Sequence, residues 1–253
     1  MIDTLSESEI ISRLHNDNDY YGEFGRKFLS NSDIKTLMSN PLNFGGASEK
    51  TVNMVVGSYL HTIVLQPDKV DTFKILDYAN RNYKGYKDEV ATDGEICLLQ
   101  HEADSIMFMR DQLMSNRIVR DLIHGSYEEA NVQHEVPGIK PIMGNTWKGK
   151  ADVINHDERL VIDLKTTSNI DKFKWSVRDY NYDSQAYLYR EIFGYDLIFI
   201  VIDKNTHKIN IFEVSDETLL NGEKKVFDAN AIYDLYFKTE GFEPTEYVET
   251  KII

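Results

Sequence analysis

The sequence contains a single cysteine, Cys97, and no apolar run approaching the roughly 18 residues of a membrane span. One cysteine excludes a disulfide framework, a four-cysteine zinc site and an iron–sulfur cluster held by this chain's own thiolates. The N-terminus is acidic and lacks the basic and apolar regions of a signal peptide. We therefore expect a protein of the reducing cytoplasm.

Basic residues are also scarce, with 28 Lys and Arg against 42 Asp and Glu and a net charge of −14. This balance opposes a protein that coats nucleic acid through bulk electrostatic attraction. The acidic excess is unevenly distributed, however. Between Lys148 and Arg190 there are eight Lys or Arg against seven Asp or Glu, so this window has a charge of +1 and the remainder −15. The central stretch is therefore relatively basic.

Several catalytic signatures are absent. The chain has no G-x-S-x-G, no H-E-x-x-H, no Gly-rich phosphate loop with its lysine and no dinucleotide-binding fingerprint. Their absence argues against a serine hydrolase, a zincin, an ATPase and a dehydrogenase.

The hydrophobic period changes along the chain. Apolar residues recur with a helical period in the first half, and strand-like alternation follows. From the length and this order we expect a single domain over residues 1–253, with a mostly helical N-terminal part (1–125) and a sheet core (126–253). The predicted fold class is α/β or α+β, with a central mixed β-sheet flanked by helices.

Two capping boxes, at Ser6–Glu9 and Thr92–Glu95, mark predicted helix starts in the N-terminal part. The predicted helices there cover residues 6–15, 30–38, 48–66, 92–113 and 116–123. The fourth of them depends on the box Thr92-Asp93-Gly94-Glu95. Residues 16–25 and 82–88 are polar, contain glycine and are predicted as loops.

The second half of the sequence is predicted to form strands joined by turns, together with two helices. The predicted strands cover residues 129–136, 147–155, 159–166, 197–202 and 208–214. Pro137-Gly138 is predicted to begin a turn. Helices are predicted over residues 180–193, with Gly194 at the C′ position, and over residues 216–239. The strand at 197–202 is nearly all apolar, which is typical of a strand covered on both faces.

The strongest chemical signal runs from Trp147 to Tyr189. Two predicted strands each end on an aspartate, Asp152 and Asp163, and Lys165 follows the second by two positions. Residues i and i+2 share a strand face, and pairing of the strands would bring Asp152 beside them. Buried carboxylates cost stability, whereas hard oxygen ligands and a lysine suit a Mg²⁺- or Mn²⁺-dependent hydrolase. The alternative of solvated strand-end charges stays open at this point.

Four weaker candidates accompany this set. Gln185 and Tyr189 lie at i and i+4, so they share a helix face, and an amide with a phenol suits phosphate or base-edge contact. His61, in G-S-Y-L-H, can complete a carboxylate site that tolerates Mn²⁺. Glu135 lies near the end of the strand that precedes Asp152. Each has an ordinary structural alternative: a core tyrosine with an incidental glutamine, a buried histidine with one hydrogen bond, and a solvent-facing glutamate.

Together these residues resemble the motifs of the PD-(D/E)XK nuclease superfamily, and within it the RecB-like exonucleases of the exonuclease VIII (RecE) type found in phages and prophages. Four pieces occur in that family's order across residues 29–190. They are L-S-N-S-D-I-K-T-L-M-S-N-P-L-N-F at Leu29 to Phe44, G-S-Y-L-H ending at His61, G-K-A-D followed by D-L-K-T-T, and Q-A-Y-L-Y at Gln185 to Tyr189. This chain has Asp163 where many members have Glu, and it lacks the cysteines of relatives that hold an iron–sulfur cluster.

The resemblance implies a restriction-endonuclease-like core with two Mg²⁺ or Mn²⁺ ions in each active site. The implied catalytic residues are Asp152, Asp163 and Lys165, the lysine orienting or helping to deprotonate water. The implied metal ligands are His61, Asp152, Asp163, the Leu164 carbonyl and Glu135. The implied DNA contacts are Gln185, Tyr189, Lys150 and Thr166.

We therefore expect a metal-dependent exonuclease that degrades one strand of linear double-stranded DNA, 5′→3′, in phage-type recombination or DNA processing. The resemblance also implies a ring-shaped homo-oligomer with a single-strand annealing protein as partner. We expect it to work in the cytoplasm of a bacterial host and not to bind a membrane. Two alternatives stay open. One is a catalytically inactive DNA-binding or recombination scaffold with a nuclease-like fold, and the other is an endonuclease with the same chemistry.

Overall fold

The computed structural model describes residues 5–46 and 50–246 of the chain. Its α-helices are α1 (Glu7–Leu14), α2 (Asp17–Tyr21), α3 (Asn31–Ser39), α4 (Val52–Leu65), α5 (Lys84–Asp93), α6 (Gln100–Ser115), α7 (Arg117–His124), α8 (Phe173–Asp179), α9 (Tyr182–Phe193) and α10 (Asp216–Phe237). Its strands are β1 (Leu29–Ser30), β2 (Ile75–Leu76), β3 (Leu98–Leu99), β4 (Val132–Ile142), β5 (Asn145–Asn155), β6 (Leu160–Thr167), β7 (Asp196–Asp203) and β8 (Ile209–Glu213). Within these two ranges, no helix has the length and apolar character needed to cross a membrane.

A six-stranded mixed sheet lies at the centre, in the order β1-β5-β6-β7-β8, with β4 also paired to β5. Strands β4 and β5 are antiparallel, β6 and β7 are parallel, and β8 returns antiparallel to β7. Strand β1 pairs with the start of β5, so the mostly helical N-terminal part also contributes to the sheet. The predicted fold class, a central mixed sheet flanked by helices, is confirmed.

Helices cover both faces of this sheet. Along β7, Phe199 packs in a core that includes residues of α3, α8, α9 and α10, whereas its neighbour Ile200 packs in a second core with residues of α4, α6 and α7. Full burial of such a side chain contributes about 1.5–3 kcal/mol. This two-sided burial explains why the strand sequence is almost entirely apolar.

Strands β5 and β6 pair over only three residues each and then separate. Their pairing covers residues 153–155 and 160–162, whereas β1 pairs with β5 nearer its start, at Trp147 and Lys148. Because β4 occupies one edge of β5 along its whole length, β1 and β6 share the other edge. Residues 149–152 therefore have no strand partner on that edge, which leaves a gap between β5 and β6.

The ladder between β4 and β5 is interrupted opposite this gap. Regular pairing holds on either side of Glu135, which itself has a φ of +52°. A residue other than glycine in that conformation is uncommon and marks a local constraint. Across the same position β5 changes faces, since Ala151 packs in one core and Val153 in the other. Residues two apart ordinarily share a face, so the alternation expected of a regular strand fails at Asp152.

The turn predicted at Pro137-Gly138 is wrong, because β4 continues past both residues. Gly138 pairs with Gly149 across the ladder, and α9 packs over the two glycines. A Cβ at Gly138 would lie 2.5 Å from Ile192 Cγ2, and one at Gly149 would lie 2.9 Å from Tyr189 Cε1. These glycines therefore permit the close approach of a helix rather than a change of chain direction.

Other boundaries also differ from the predictions. Helix α5 covers most of the segment predicted as a loop, and Gly94 ends it with a φ of +73°. The capping box expected at Thr92–Glu95 is therefore wrong, and the next helix, α6, starts only at Gln100. Helix α2 occupies part of the loop predicted over residues 16–25, while the start of α4 predicted at Ser48 lies outside the described residues.

Candidate active site

The gap between β5 and β6 is bridged by side chains rather than by backbone hydrogen bonds. The Leu164 N–H donates to Asp152 Oδ2 at 2.8 Å. The Leu164 carbonyl lies 2.9 Å from Nε2 of His61 on α4, and because a carbonyl only accepts, that nitrogen carries a proton. A buried backbone group left without a partner costs about 1–3 kcal/mol, so these two side chains stabilise the separated strand.

His61 and Asp152 also form an ion pair, with Nδ1 and Oδ2 3.3 Å apart. Burial lowers the pKa of His61, but the adjacent Asp152 carboxylate outweighs burial and raises it to about 9. Burial acts to raise the pKa of the Asp152 carboxyl, but His61 holds it below its usual value. Near neutral pH the pair is thus imidazolium and carboxylate, and His61 must release a proton before it can ligate a metal.

Asp163 lies on the next strand and is 2% exposed. Its Oδ1 accepts a hydrogen bond from Gln185 Nε2 at 2.6 Å. Lys165 Nζ lies 2.7 Å from Oδ2 and forms an ion pair with it. The ring of Tyr182 lies 4.8 Å from the same ammonium. Each carboxylate oxygen of Asp163 thus has one side-chain partner, Gln185 at Oδ1 and Lys165 at Oδ2.

The charges of this second pair follow from burial and mutual attraction. Burial raises the pKa of the Asp163 carboxyl, and the charge of Asp152 acts in the same direction. Burial acts to lower the pKa of Lys165, but Asp163 and Asp152 outweigh it and raise the pKa above its usual value. Lys165 is therefore an ammonium, which can orient water or stabilise phosphate charge but cannot remove a proton.

Glu135 completes a cluster of potential metal ligands. One ligand atom from each of His61, Glu135 and Asp152 lies within 4.8 Å of the others. Burial, helped by the Asp152 charge, raises the pKa of Glu135 to about 7. Such a cluster is costly in an apolar surrounding without a cation, and its oxygen and imidazole donors suit Mg²⁺ or Mn²⁺. The donors of these three residues therefore fit a divalent metal ion, and Asp163 is not part of this group.

The two candidates on α9 contact the protein. Gln185 and Tyr189 share one face of the helix as predicted, and both are buried. Gln185 donates to Asp163, while the Tyr189 hydroxyl donates to the Lys150 carbonyl at 2.7 Å. In the free protein these side chains therefore position β5 and β6, and their contact with DNA stays a prediction.

Helix α2 lies beside the cluster, and the sequence analysis did not predict this position. The Lys150 ammonium pairs with Asp17, lies 4.0 Å from Glu135 and is 4.6 Å from the ring centroid of Tyr20. Lys150 is 8% exposed, so its contact with DNA, like that of the half-buried Thr166, stays a prediction. The only signal in the sequence is the run of acidic and aromatic residues N-D-N-D-Y-Y, which resembles a polar loop.

Comparison with known structures supports the fold. A candidate exonuclease from Eubacterium rectale aligns with a TM-score of 0.60 and 19% identity, over 94% of this chain and 95% of that one. At this identity the likeness concerns the fold alone. A phage-related exonuclease from Haemophilus somnus aligns with a TM-score of 0.36 and 13% identity, over 82% of this chain and 93% of that one. That second likeness is too weak to support an argument.

Sequence comparison gives the family. No curated protein sequence matches the chain. Residues 31–245, however, match the model of the family described as "PDDEXK-like domain of unknown function (DUF3799)". The match spans most of the chain and includes both aspartates, Lys165 and His61. The chain therefore belongs to this PDDEXK-like family, which confirms the resemblance to PD-(D/E)XK nucleases.

Proposed function

We propose that this protein is a metal-dependent exonuclease that hydrolyses phosphodiester bonds of linear double-stranded DNA. The gap between β5 and β6 supports this proposal most directly. It brings together His61, Glu135 and Asp152, and it places the ion pair of Asp163 and Lys165 beside them. Buried ionic groups are weak stabilisers of a fold, and perturbed pKa values cluster at functional sites, so this arrangement favours chemistry over a purely structural role.

Each residue has a role in the proposed reaction. His61, Glu135, Asp152 and Asp163 would hold the metal, with two ions proposed per site as in the resembling nucleases. A bound Mg²⁺ or Mn²⁺ would supply Lewis-acid stabilisation of the phosphate and a bound water of lowered pKa. Lys165, as an ammonium, would orient the attacking water or stabilise negative charge on the phosphate.

Two further side chains support these groups. Gln185 fixes the rotation of the Asp163 carboxylate through its hydrogen bond, and the ring of Tyr182 packs near the Lys165 ammonium. Ligands held by such contacts need little rearrangement when the substrate arrives.

The finer parts of the proposal come from the resemblance to exonuclease VIII-type enzymes. They are 5′→3′ degradation of one strand, a role in phage-type recombination or DNA processing, a ring-shaped homo-oligomer, a single-strand annealing partner and a bacterial cytoplasm. The complete set of charged side chains in the gap opposes the alternative of a catalytically inactive scaffold.

The test is digestion of a linear duplex labelled at one 5′ end or at one 3′ end. The protein would be assayed with Mg²⁺, with Mn²⁺ and with EDTA, beside an Asp152→Asn variant. We expect labelled mononucleotides only with metal and only from the wild type, with the 5′ label released first. Covalently closed circles should remain intact.

Three outcomes would contradict parts of this proposal. Nicking of closed circles would make the enzyme an endonuclease. Early release of the 3′ label would reverse the direction. DNA binding without any product, under either metal, would support the inactive scaffold.

A further inference from the structure

Helix α8 and the residue after it present exposed aromatic rings among basic side chains. Trp175 is 58% exposed and Tyr180 is 67% exposed, although both are large aromatic residues. Lys172, Lys174 and Arg178 are also exposed, and Lys174 Nζ lies 4.5 Å from the Trp175 ring centroid. We name these five residues the α8 surface.

The core side of α8 explains why these rings point outward. Phe173 is 1% exposed and packs against the rings of Tyr182, Phe199 and Phe212, and Val177 packs against the same core. Residues four apart share one face of a helix, so Phe173 and Val177 fix that face inward. Trp175, two positions from each, then projects from the opposite side. Its exposure is therefore a consequence of how the helix is anchored.

The junction between α8 and α9 is held rigidly. Lys225 Nζ on α10 donates to the Arg178 carbonyl at 2.7 Å and to side-chain oxygens of Asn181 and Asp183, each at 2.9 Å. Asn181 itself has a φ of +58°, which separates the two helices. Tyr180, at this junction, is consequently presented by a fixed backbone. A preorganised surface loses less conformational entropy when it binds a ligand.

The α8 surface begins next to the candidate active site. The rings of Tyr180 and Tyr182 have centroids 5.9 Å apart, and the Tyr182 ring lies 4.8 Å from Lys165 Nζ. Between the two exposed aromatics is a shallow depression of about 400 Å³, lined by Lys172, Trp175, Ser176, Asp179 and Tyr180. A nucleic-acid strand that reaches Lys165 therefore has an aromatic and basic surface immediately beside it.

The local charge favours a polyanion. Residues 172–180 contain three basic residues and one acidic residue, whereas the whole chain has a net charge of −14. Exposed aromatic rings favour unpaired bases in particular, because the faces of bases within a duplex are already stacked on one another. Basic residues that follow the backbone and aromatic residues that stack on bases are the usual elements of a single-strand binding surface.

We propose that the α8 surface binds single-stranded DNA, with bases stacked on Trp175 and Tyr180 and phosphates paired with Lys172, Lys174 and Arg178. This rests on the proposed function in one respect, since the strand would be an unpaired strand next to the cleavage site. It explains why an acidic protein exposes two large rings and three cations in one place.

The chain offers a direct optical test. Its two tryptophans are Trp147, which is 0% exposed, and Trp175. Titration with an oligothymidylate in EDTA, which prevents cleavage, should quench the emission of the wild type, and Trp175→Ala should abolish the quenching. By anisotropy of a labelled oligothymidylate, Trp175→Ala and Tyr180→Ala should each weaken binding by roughly tenfold, the effect of removing one stacked base.

A matched control comes from Tyr127, which is 57% exposed and donates its hydroxyl hydrogen bond to Asp157 near the opposite end of β6. Tyr127→Ala should bind the oligothymidylate like the wild type. Lys172→Gln combined with Lys174→Gln should reduce the salt dependence of binding, because fewer phosphates would be neutralised. Circular dichroism would confirm that every variant is folded.

Several outcomes would overturn the proposal. One is that Trp175→Ala and Tyr180→Ala both bind the oligothymidylate with wild-type affinity. Another is that the wild type binds a blunt duplex as tightly as the oligothymidylate, without quenching of its emission. A third is a loss of self-association, seen by size-exclusion chromatography with light scattering, without a loss of DNA binding, since α8 would then be an interface between copies of this chain. Duplex digestion by the same preparations separates the two proposals. If the wild type shows quenching but digests no duplex, the α8 surface is supported and the exonuclease is contradicted. If the wild type digests duplex but the two aromatic variants bind the oligothymidylate as it does, the exonuclease is supported and the α8 surface is contradicted.

Discussion

Two buried aspartates on neighbouring strands have opposite surroundings. Asp163 on β6 is 2% exposed and Asp203 at the end of β7 is 3% exposed. Asp203 accepts backbone hydrogen bonds from Asn205, Thr206 and Ile170 at 2.8–2.9 Å. Asp163 has side-chain partners instead, since it accepts a hydrogen bond from Gln185 and its Oδ2 forms an ion pair with Lys165 at 2.7 Å. Burial alone therefore does not distinguish these two carboxylates, whereas their partners do, because backbone N–H groups hold Asp203 and side chains hold Asp163.

The pKa values follow the same difference. Burial acts to raise the pKa of Asp203, but its backbone N–H donors outweigh burial and lower the pKa below its usual value. For Asp163 burial dominates, and the charge of Asp152 adds to it, so the pKa is raised. Asp203 is held as a carboxylate that closes a turn. Asp163 is held in a state that a cation would stabilise further.

The largest expected effect separates the two residues by activity. Asp163→Asn removes the charge that we assign to metal binding, so we expect duplex cleavage to fall by at least about a thousandfold, roughly 4 kcal/mol of transition-state stabilisation. Asp203→Asn should cleave at the wild-type rate per folded molecule. Initial rates at saturating Mg²⁺ would measure both, and a comparable loss in the two variants would remove the distinction.

A metal titration sharpens the comparison. A ligand that binds only the folded state stabilises it, by about 2.7 kcal/mol when its concentration is one hundred times the Kd. Mg²⁺ should therefore raise the unfolding temperature of the wild type and of Asp203→Asn by similar amounts, and that of Asp163→Asn by much less. Ca²⁺ provides a second oxygen-seeking cation for the same scan. Equal shifts in all three proteins would place the metal away from Asp163.

The smallest effect concerns stability and its pH dependence. In Asp203→Asn, a side-chain amide N–H would replace one carboxylate oxygen that accepts hydrogen bonds from backbone N–H groups. We therefore expect a loss of about 1–3 kcal/mol in the free energy of unfolding at pH 7. Because the folded-state pKa of Asp203 is lowered, the carboxylate stabilises the fold above its unfolded pKa, and this stabilisation is lost as the pH falls through the folded pKa. The difference between wild type and variant should consequently narrow at acidic pH.

Urea denaturation at pH 7 and near pH 3, in EDTA, would measure this narrowing. Asp171→Asn is the control, because Asp171 is an exposed carboxylate next to Ile170 and forms a surface ion pair with Lys208. It should change the free energy of unfolding little at either pH. A difference for Asp203→Asn that does not depend on pH would show that charge is not the cause.

Much of this architecture could be predicted from local patterns. The strand segments of β5 and β6, the apolar run of β7 and the position of Gly194 after α9 each depend on residues close in sequence. The structure brings Asp152, His61 and Leu164 into contact, and their role as metal ligands stays a prediction. The strands that carry the two aspartates could therefore be predicted from sequence, whereas the gap between them could not.

Other features depended on contacts that a local pattern does not contain. Gly94 ends a helix, although the same letters Thr92–Glu95 form a helix-start motif, because flanking tertiary packing decides between the two. Pro137-Gly138 looks like a turn until α9 is placed over it. Asp17 and Tyr20 contact Lys150 only in the folded chain. No spacing in the sequence predicts that contact.

The Leu164 carbonyl limits how mutations can alter this candidate site during evolution. It faces the gap between β5 and β6, where it is hydrogen-bonded to His61, and it belongs to the backbone rather than to a side chain. No single-nucleotide change can delete a backbone oxygen. Substitutions at this codon act instead through the leucine side chain, which is 1% exposed in the core below the sheet. This oxygen is therefore present whichever residue occupies position 164, and a substitution can displace it only by disturbing the packing of that side chain.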